Sequence, residues 1–233
     1  MEGLFDSPYL VSVPARRVML HSPDSAITVL WWRSVGNTHT AFAMECMIDE
    51  LAHAANQDPL AYRLRLLQGK PRHLAALTLA AEKAGWGKAL AEGHALGLAL
   101  HESFGTIVAE VADVSVERGK PRVHTVTCVV DCGTAVNPLA VEAQVQGSVA
   151  YGLSAAHHGA ITFTGGKPDQ SNFHDYRVLR MHEMPRVNVF LQKSDAKMGG
   201  IGEPATAPIA PAVANALFSL TRQRLRSLPF QLA

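Results

Sequence analysis

The chain switches between two hydrophobic periods, and the switches mark its elements. From Thr38 to Ala55 apolar residues recur at helical spacing, with Phe42, Cys46, Ile48, Leu51, Ala52 and Ala55 on one stripe and Asp49 and Glu50 interleaved. Asp58-Pro59 supplies an N-cap and a first-turn proline for a second helix through Leu67. A third helix is predicted from Pro71 to Ala84, stopped by Gly85. These three helices read as scaffold.

Period-two patterning takes over after a turn-rich join at 87–97. Leu98 to Gly105 leads in, then Ala112, Val114 and Val116 alternate with Asp113, Ser115 and Glu117. Gly119-Lys120-Pro121 turns the chain back into a strand from Arg122 to Asp131, which predicts a hairpin. The loop from Asp131 to Pro138, with its Asp, Gly and Asn-Pro turn chemistry, opens a helix from Leu139 to about His157. Glycine inside a helix costs about 1 kcal/mol relative to alanine, so Gly147 and Gly152 imply close backbone packing there. Ile161 to Thr164 and Val187 to Leu191 read as further strands around the Gly165-Gly166 turn and the polar and aromatic loop Gln170 to Tyr176. Ahead of the first helix, Val18-Met19-Leu20 and Ala26 to Leu30 read as short strands between Pro8, Pro14 and Pro23.

The patterning thus gives helices and strands along one chain; the fold class expected from the family resemblance set out below is α+β, with helices packed on a mixed or antiparallel sheet. Hydrophobic content of 48%, charged content of 18% and a net charge of +1 describe a globular chain with no basic surface for nucleic acid. No apolar run approaches a membrane span, and the N-terminus carries no targeting pattern, so nothing assigns the chain to cytoplasm or periplasm. Cys46, Cys128 and Cys132 are too few for a disulfide framework.

Several constellations invite chemistry and are outweighed. His124, Cys128 and Cys132 are spaced by four, but an extended strand separates such residues by roughly 13 Å, too far for one zinc ion. His101 and Glu102 are adjacent in a strand and point to opposite faces. His157-His158 reads as packing or surface, and His174-Asp175 has no nucleophilic serine elbow to serve.

The stretch Gly199-Gly200-Ile201-Gly202-Glu203-Pro204 is different. Its glycines permit close approach, Pro204 restricts Glu203, and the apolar run from Ala212 to Phe218 predicts a buried helix, opened by Pro208 or Pro211, that anchors the loop. A carboxylate held in a poorly hydrated pocket can act as a general base. Spacing alone favours a solvated glutamate on an ordinary glycine-rich surface loop.

Gly-Ile-Gly-Glu-Pro ahead of a Pro-Ile-Ala-Pro-Ala helix resembles the C-terminal end of the molybdenum-binding subunit of the xanthine dehydrogenase and aldehyde oxidase family, in the isoquinoline 1-oxidoreductase beta-subunit branch. Trp31-Trp32-Arg33-Ser34-Val35-Gly36 resembles the family's cofactor-contacting loop. Asp131-Cys132-Gly133 to Asn137-Pro138 and Gln144-Val145-Gln146-Gly147 resemble further family motifs, with Gln146 in place of the common glutamate.

The resemblance implies Glu203 as the active-site base, Arg33, Gly36, Gln144 and Gly202 as cofactor contacts, and Phe104, Gly105 and Val108 as the substrate pocket. It implies that residues 1–233 form the C-terminal portion of a molybdopterin-binding domain, with a loop, strand and helical section at 1–97 and a sheet section bearing the active-site loop at 98–233. The implied reaction is oxidation of a small aldehyde or N-heteroaromatic substrate with oxygen from water. The implied cofactor is molybdopterin with molybdenum, in its cytosine dinucleotide form. The implied partners are an N-terminal cofactor-binding portion and a separate subunit carrying iron-sulfur clusters, without which this chain is inactive. A non-catalytic remnant or assembly module that keeps the fold without molybdenum is the competing expectation.

Overall fold

Three consecutive antiparallel strands, one more than the alternation predicts, carry the fold in a computed structural model that describes residues 2–232. β1 (His94–Ser103), β2 (Thr106–Glu117) and β3 (Lys120–Asp131) form a meander, so the predicted hairpin is only its second half. β1 starts inside the stretch expected to be a join. Gly97, which reads as a breaker, is a packing residue: a Cβ there would lie 2.2 Å from the backbone of Ala212 and Ala216, so its absence lets a helix lie directly on the strand.

The helices follow their capping signals. α1 (Asn37–Ala54) is followed by α2 (Pro59–Leu66), whose N-cap Asp58 accepts from the Ala61 N–H, and by α3 (Pro71–Ala84), which ends at a left-handed Gly85. α4 (Pro138–His158) is capped by Asn137 and leads past a small ladder of β4 (Phe163–Thr164) and β5 (Lys167–Pro168) to β6 (Arg186–Leu191). β6 lies parallel to β3, giving a mixed sheet of order β1-β2-β3-β6. α5 (Ile209–Thr221) closes the chain, with Pro208 as its N-cap.

Both faces of the sheet are covered. Leu98, Leu100, Ile107, Ala109, Val111 and Val129 pack with Leu67, Ala76, Leu77 and Ala80 on the α3 side. Ala99, Val108, Ala112, Cys128 and Val130 pack with Val145, Val149 and Leu153 of α4 and Ile209, Val213 and Leu217 of α5 on the other. A fully buried Arg63 donates to the Glu45 carboxylate at 2.9 Å and to the Glu45 carbonyl at 2.8 Å, joining α2 to α1. Asn215 of α5 donates to the carbonyls of Leu98 (3.1 Å) and Glu45 (3.4 Å), tying the same point to the sheet.

The two strands predicted ahead of α1 are absent. Residues 17–30 run irregularly with no ladder partner among the described residues, and Leu30 and Trp31 are 88% and 89% exposed. Their apolar side chains lack a surface to cover, and a strand without a neighbour leaves its backbone groups to water.

Glu110 of β2 is fully enclosed and has only the Cys128 thiol, at 3.5 Å, as a partner among the described residues. Burial raises its pKa from 4.5 to about 8, so the folded chain keeps a proton that the unfolded chain releases. Stability is therefore full below pH 4.5 and falls as pH rises towards about 8. Glu110→Gln should flatten that slope and raise the urea midpoint at the alkaline end. A slope identical to that of the unsubstituted chain would contradict the buried neutral acid.

Candidate active site

The loop 199–203 is held at two points. At the tip of the β1–β2 turn, the Gly200 N–H donates to the Phe104 carbonyl at 2.8 Å and the Thr106 hydroxyl donates to the Gly200 carbonyl at 2.6 Å. The Gly199 N–H donates to Cys132 O at 3.0 Å, at the end of β3. Gly199 is required by contact, since a Cβ would lie 2.4 Å from Thr106 Oγ1 and 2.7 Å from the Gly105 backbone.

The second hold comes from the segment ahead of α1. Arg33 Nε donates to the Gly202 carbonyl at 2.7 Å, and the Ser34 hydroxyl donates to the Glu203 carbonyl at 2.6 Å. The Ser34 N–H donates to Glu203 Oε1 at 3.0 Å. Glu203 Oε2 has no hydrogen-bond partner among the described residues and the side chain is half-buried. Pro204–Thr206 then forms a buried single turn that enters α5. Gly152 of α4 packs on this turn: a Cβ there would lie 2.4 Å from Ile209 Cγ2 and 3.1 Å from Thr206 O, the close approach its place in a helix implied.

Ser34 and Val35 have φ of 77° and 49°, two successive non-glycine residues in the left-handed region. Such residues cost roughly 1–3 kcal/mol each and persist where surroundings over-determine them. Ser34, fully buried and bonded twice to Glu203, meets that condition.

Arg33 also reaches α4, donating from one terminal nitrogen to Gln144 Oε1 at 2.9 Å and to Gln144 O at 3.3 Å. Because arginine can only donate, the Gln144 side-chain oxygen is committed to it, and the Gln144 NH2 group has no hydrogen-bond partner among the described residues. The Arg33 guanidinium lies 5.9 Å over the Tyr151 ring, whose centroid is 4.7 Å from that of Trp32. Gly36 caps α1 and its N–H donates to the Glu2 carboxylate at 2.8 Å, an anion seated where the helix N-terminus favours one.

Arg33, Gln144, Gly202 and Glu203 are thus brought together, and Phe104 and Gly105 lie exposed at the other end of the same loop. Val108 is placed elsewhere. It is fully buried in the core shared with α4 and α5, because two residues of β2 separate it from the turn and its side chain points into the sheet's packed face. The expected dry pocket around Glu203 is also not formed by these residues. Three well-formed cavities, of about 730, 560 and 350 Å³, are lined by other side chains.

Of the outweighed constellations, exposed His174 lies 3.6 Å from Asp175, and His101 and Glu102 take different partners. His101 meets Asn37 at 2.8 Å while Glu102 meets His73 at 2.9 Å on the opposite face. Among the described residues no group of three or more His, Cys, Asp or Glu is placed to hold a metal. Sequence reasoning passed over Ser34 and Thr106. Ser34 sits between two residues already singled out, and its backbone conformation leaves no trace in the residue type.

Residues 18–185 match the family described as molybdopterin cofactor-binding domain. The chain belongs to that family. It is 36% identical over 224 residues to the beta subunit of isoquinoline 1-oxidoreductase from Brevundimonas diminuta, covering 94% of this chain and 29% of that protein. It is 33% identical to a nicotinate dehydrogenase subunit of Pseudomonas putida, covering 97% of this chain and 21% of that one. A membrane-bound aldehyde dehydrogenase of Gluconacetobacter polyoxogenes is 34% identical, over 85% of this chain and 28% of its own length. The chain thus spans less than a third of these family members.

The backbone resembles that of the aldehyde oxidoreductase from Desulfovibrio desulfuricans with a TM-score of 0.69 at 13% identity, over 85% of this chain and 40% of that one. The aldehyde oxidoreductase from Desulfovibrio gigas gives 0.62 at 14% identity. The fold is therefore that of molybdopterin-binding domains.

The residues present fit such a group. Arg33 and the Gln144 NH2 are donors and Gly202 has no heavy atom within 4 Å of where a Cβ would stand, whereas the expected contact at Gly36 is taken, its N–H being already bonded to the Glu2 carboxylate. Two glycine substitutions separate holding the loop from leaving space over it. Gly199→Ala should lower the thermal midpoint by several degrees, an effect of about 1–3 kcal/mol. Gly202→Ala should leave the midpoint within about a degree of the parent, since stability effects at open sites stay within roughly 0.5 kcal/mol. Equal losses in the two would contradict the packing described.

Proposed function

We propose that this chain supplies the base and one side of the cofactor cradle of a molybdenum hydroxylase that oxidises an aldehyde or N-heteroaromatic substrate with water-derived oxygen. The observation that carries the reading is the clasp in which Arg33 and Ser34 fix Gly202 and Glu203 beside Gln144. Membership in the molybdopterin-binding family supports it, as do the names of the relatives, which include isoquinoline, nicotinate and aldehyde enzymes.

When bound, molybdopterin in its cytosine dinucleotide form supplies the redox centre that accepts the substrate's electrons. Arg33 and the Gln144 amide hold its polar edge, with Gly202 leaving space. Glu203 is tethered through Oε1 by the Ser34 N–H, which leaves Oε2 to take a proton from the attacking water-derived oxygen. Phe104 and Gly105, at the tip of the turn hydrogen-bonded to Gly200, border the substrate.

The Oε2 side of Glu203 and the exposed apolar run through Leu30 and Trp31 are where the remaining cofactor-binding portion docks. Electrons leave through a separate iron-sulfur subunit. The three cysteines of this chain are buried in its own core, with Cys46 pushed up to about 12 by burial, and offer no thiolate cluster.

The test is the assembled complex, purified from cells with its accompanying subunits. Glu203→Gln should retain molybdenum while losing aldehyde-dependent dye reduction by about 10²–10⁴-fold, the span of a lost general base. Arg33→Ala should lower the bound molybdenum itself. A complex lacking molybdenum with the unsubstituted chain would leave only the assembly-module reading, and full activity with Glu203→Gln would remove the base.

A further inference from the structure

The clasp grips Glu203 directly, and a separate cluster at the C-terminal end of β3 fixes the chain that leads to it. Asp131, the last residue of β3, is fully buried. Arg72 of α3 donates to its carboxylate from Nε to Oδ2 at 2.8 Å and from a terminal nitrogen to Oδ1 at 2.9 Å, a two-pronged ion pair. The Gly133 N–H donates to Oδ1 at 3.1 Å, and the Ser194 hydroxyl donates to the same oxygen at 2.5 Å. Burial pushes the Asp131 carboxyl up, but the bonds from Arg72, Ser194 and Gly133 outweigh it and hold the group below its ordinary value. Asp131 is thus a fixed buried anion.

The bond to Ser194 reaches into the chain that carries Glu203. Gln192, just past β6, still donates its N–H to Val130 O at 2.8 Å. Beyond it the chain leaves the sheet, and Ser194 is the first residue fastened again. Gly133, at φ 69°, then packs so closely that a Cβ would lie 2.4 Å from Ala196 O and 2.6 Å from Lys197 O. The Gly199 N–H follows on Cys132 O. Asp131-Cys132-Gly133 therefore forms the bed on which 194–199 lies, immediately ahead of the loop that presents Glu203.

Removing the Ser194 bond leaves Asp131 paired, because the Arg72 guanidinium and the Gly133 N–H remain on it. No charge is stranded, so the loss falls on the loop and not on the core. The loop is sensitive to such a loss, since Gly199, Gly200 and Gly202 leave its backbone free wherever a bond is missing. A reacting group displaced by about 1 Å costs on the order of a hundredfold in rate.

We propose that Asp131 is a positioning residue for Glu203: through Ser194 it sets where the chain leaves the sheet, and hence where the Glu203 carboxylate meets the Ser34 N–H. It does so from inside the core, acting through the loop and not on the reacting atoms. The proposal rests on the reading of Glu203 as the base, and its first readout is independent of turnover.

The test compares the purified assembly carrying Ser194→Ala, Ser194→Thr or Asp131→Asn with the parent, by amide hydrogen exchange at Ser34, whose N–H bonds the Glu203 carboxylate. Ser194→Ala should speed exchange at Gly199, Gly200 and Ser34 and leave the α5 amides unchanged. It should also lower kcat by about tenfold or more while KM stays within about twofold. Ser194→Thr, which keeps the hydroxyl, should restore both readouts, and Asp131→Asn, which also weakens the Arg72 pair, should exceed Ser194→Ala in both. Unchanged Ser34 exchange in Ser194→Ala would overturn the proposal, as would α5 amides that speed up in step with it, the mark of a merely structural loss. Faster Ser34 exchange with no fall in kcat, in a complex that Glu203→Gln inactivates, would overturn it too. If Glu203→Gln instead keeps full activity, the base assignment fails, and exchange at Ser34 alone decides whether Asp131 places that carboxylate.

Discussion

Two adjacent residues grip a loop 169 positions away, and the placement of Glu203 depends on that grip. Arg33 takes the Gly202 carbonyl, while Ser34 takes both the carbonyl and one carboxylate oxygen of Glu203. A loop of this composition left to itself would sample many conformations, since glycine forfeits more backbone entropy on ordering than any other residue. Fixing it requires bonds at both ends, and the Phe104–Thr106 turn supplies the other set. The left-handed backbone of Ser34 and Val35 is the local strain that lets consecutive groups face one target.

The rest of the fold keeps those two ends at a fixed separation. The β1–β2 turn is rigid because both strands belong to a sheet buried on two faces. The Arg33–Ser34 segment is rigid because it runs straight into α1, which the enclosed Arg63–Glu45 pair and Asn215 pin to α2, α5 and β1. Burying an ion pair is costly, but once buried the loss of either partner strands a charge, so such a pair specifies one arrangement. α4 completes the triangle by presenting Gln144 to Arg33 and, through Gly152, accepting the turn that follows Glu203.

Elements with strong punctuation were legible in the sequence. Asp58-Pro59, Pro71, Gly85 and Asn137-Pro138 each fall at a helix boundary, and the mixed α+β class followed from the family resemblance. What failed did so where a distant partner decides the outcome. Gly97 looks like a breaker until α5 is laid against it, and residues 26–30 look like a strand until no neighbour is found. The site was legible in part through resemblance: Arg33, Gln144, Gly202 and Glu203 come together, and a two-residue step along β2 sends Val108 into the core. Ser34 could not be singled out, because its importance lies in a backbone angle and two hydrogen bonds that residue type does not encode.

The central claim, that Ser34 tethers the Glu203 carboxylate, is tested most directly by amide hydrogen exchange at Ser34 in the parent chain and in Glu203→Ala, measured within the purified assembly. A slowly exchanging Ser34 amide that speeds up when the carboxylate is removed, with α1 amides unchanged, is the predicted result. A Ser34 amide that exchanges rapidly in the parent, or at the same rate in both, would contradict the account.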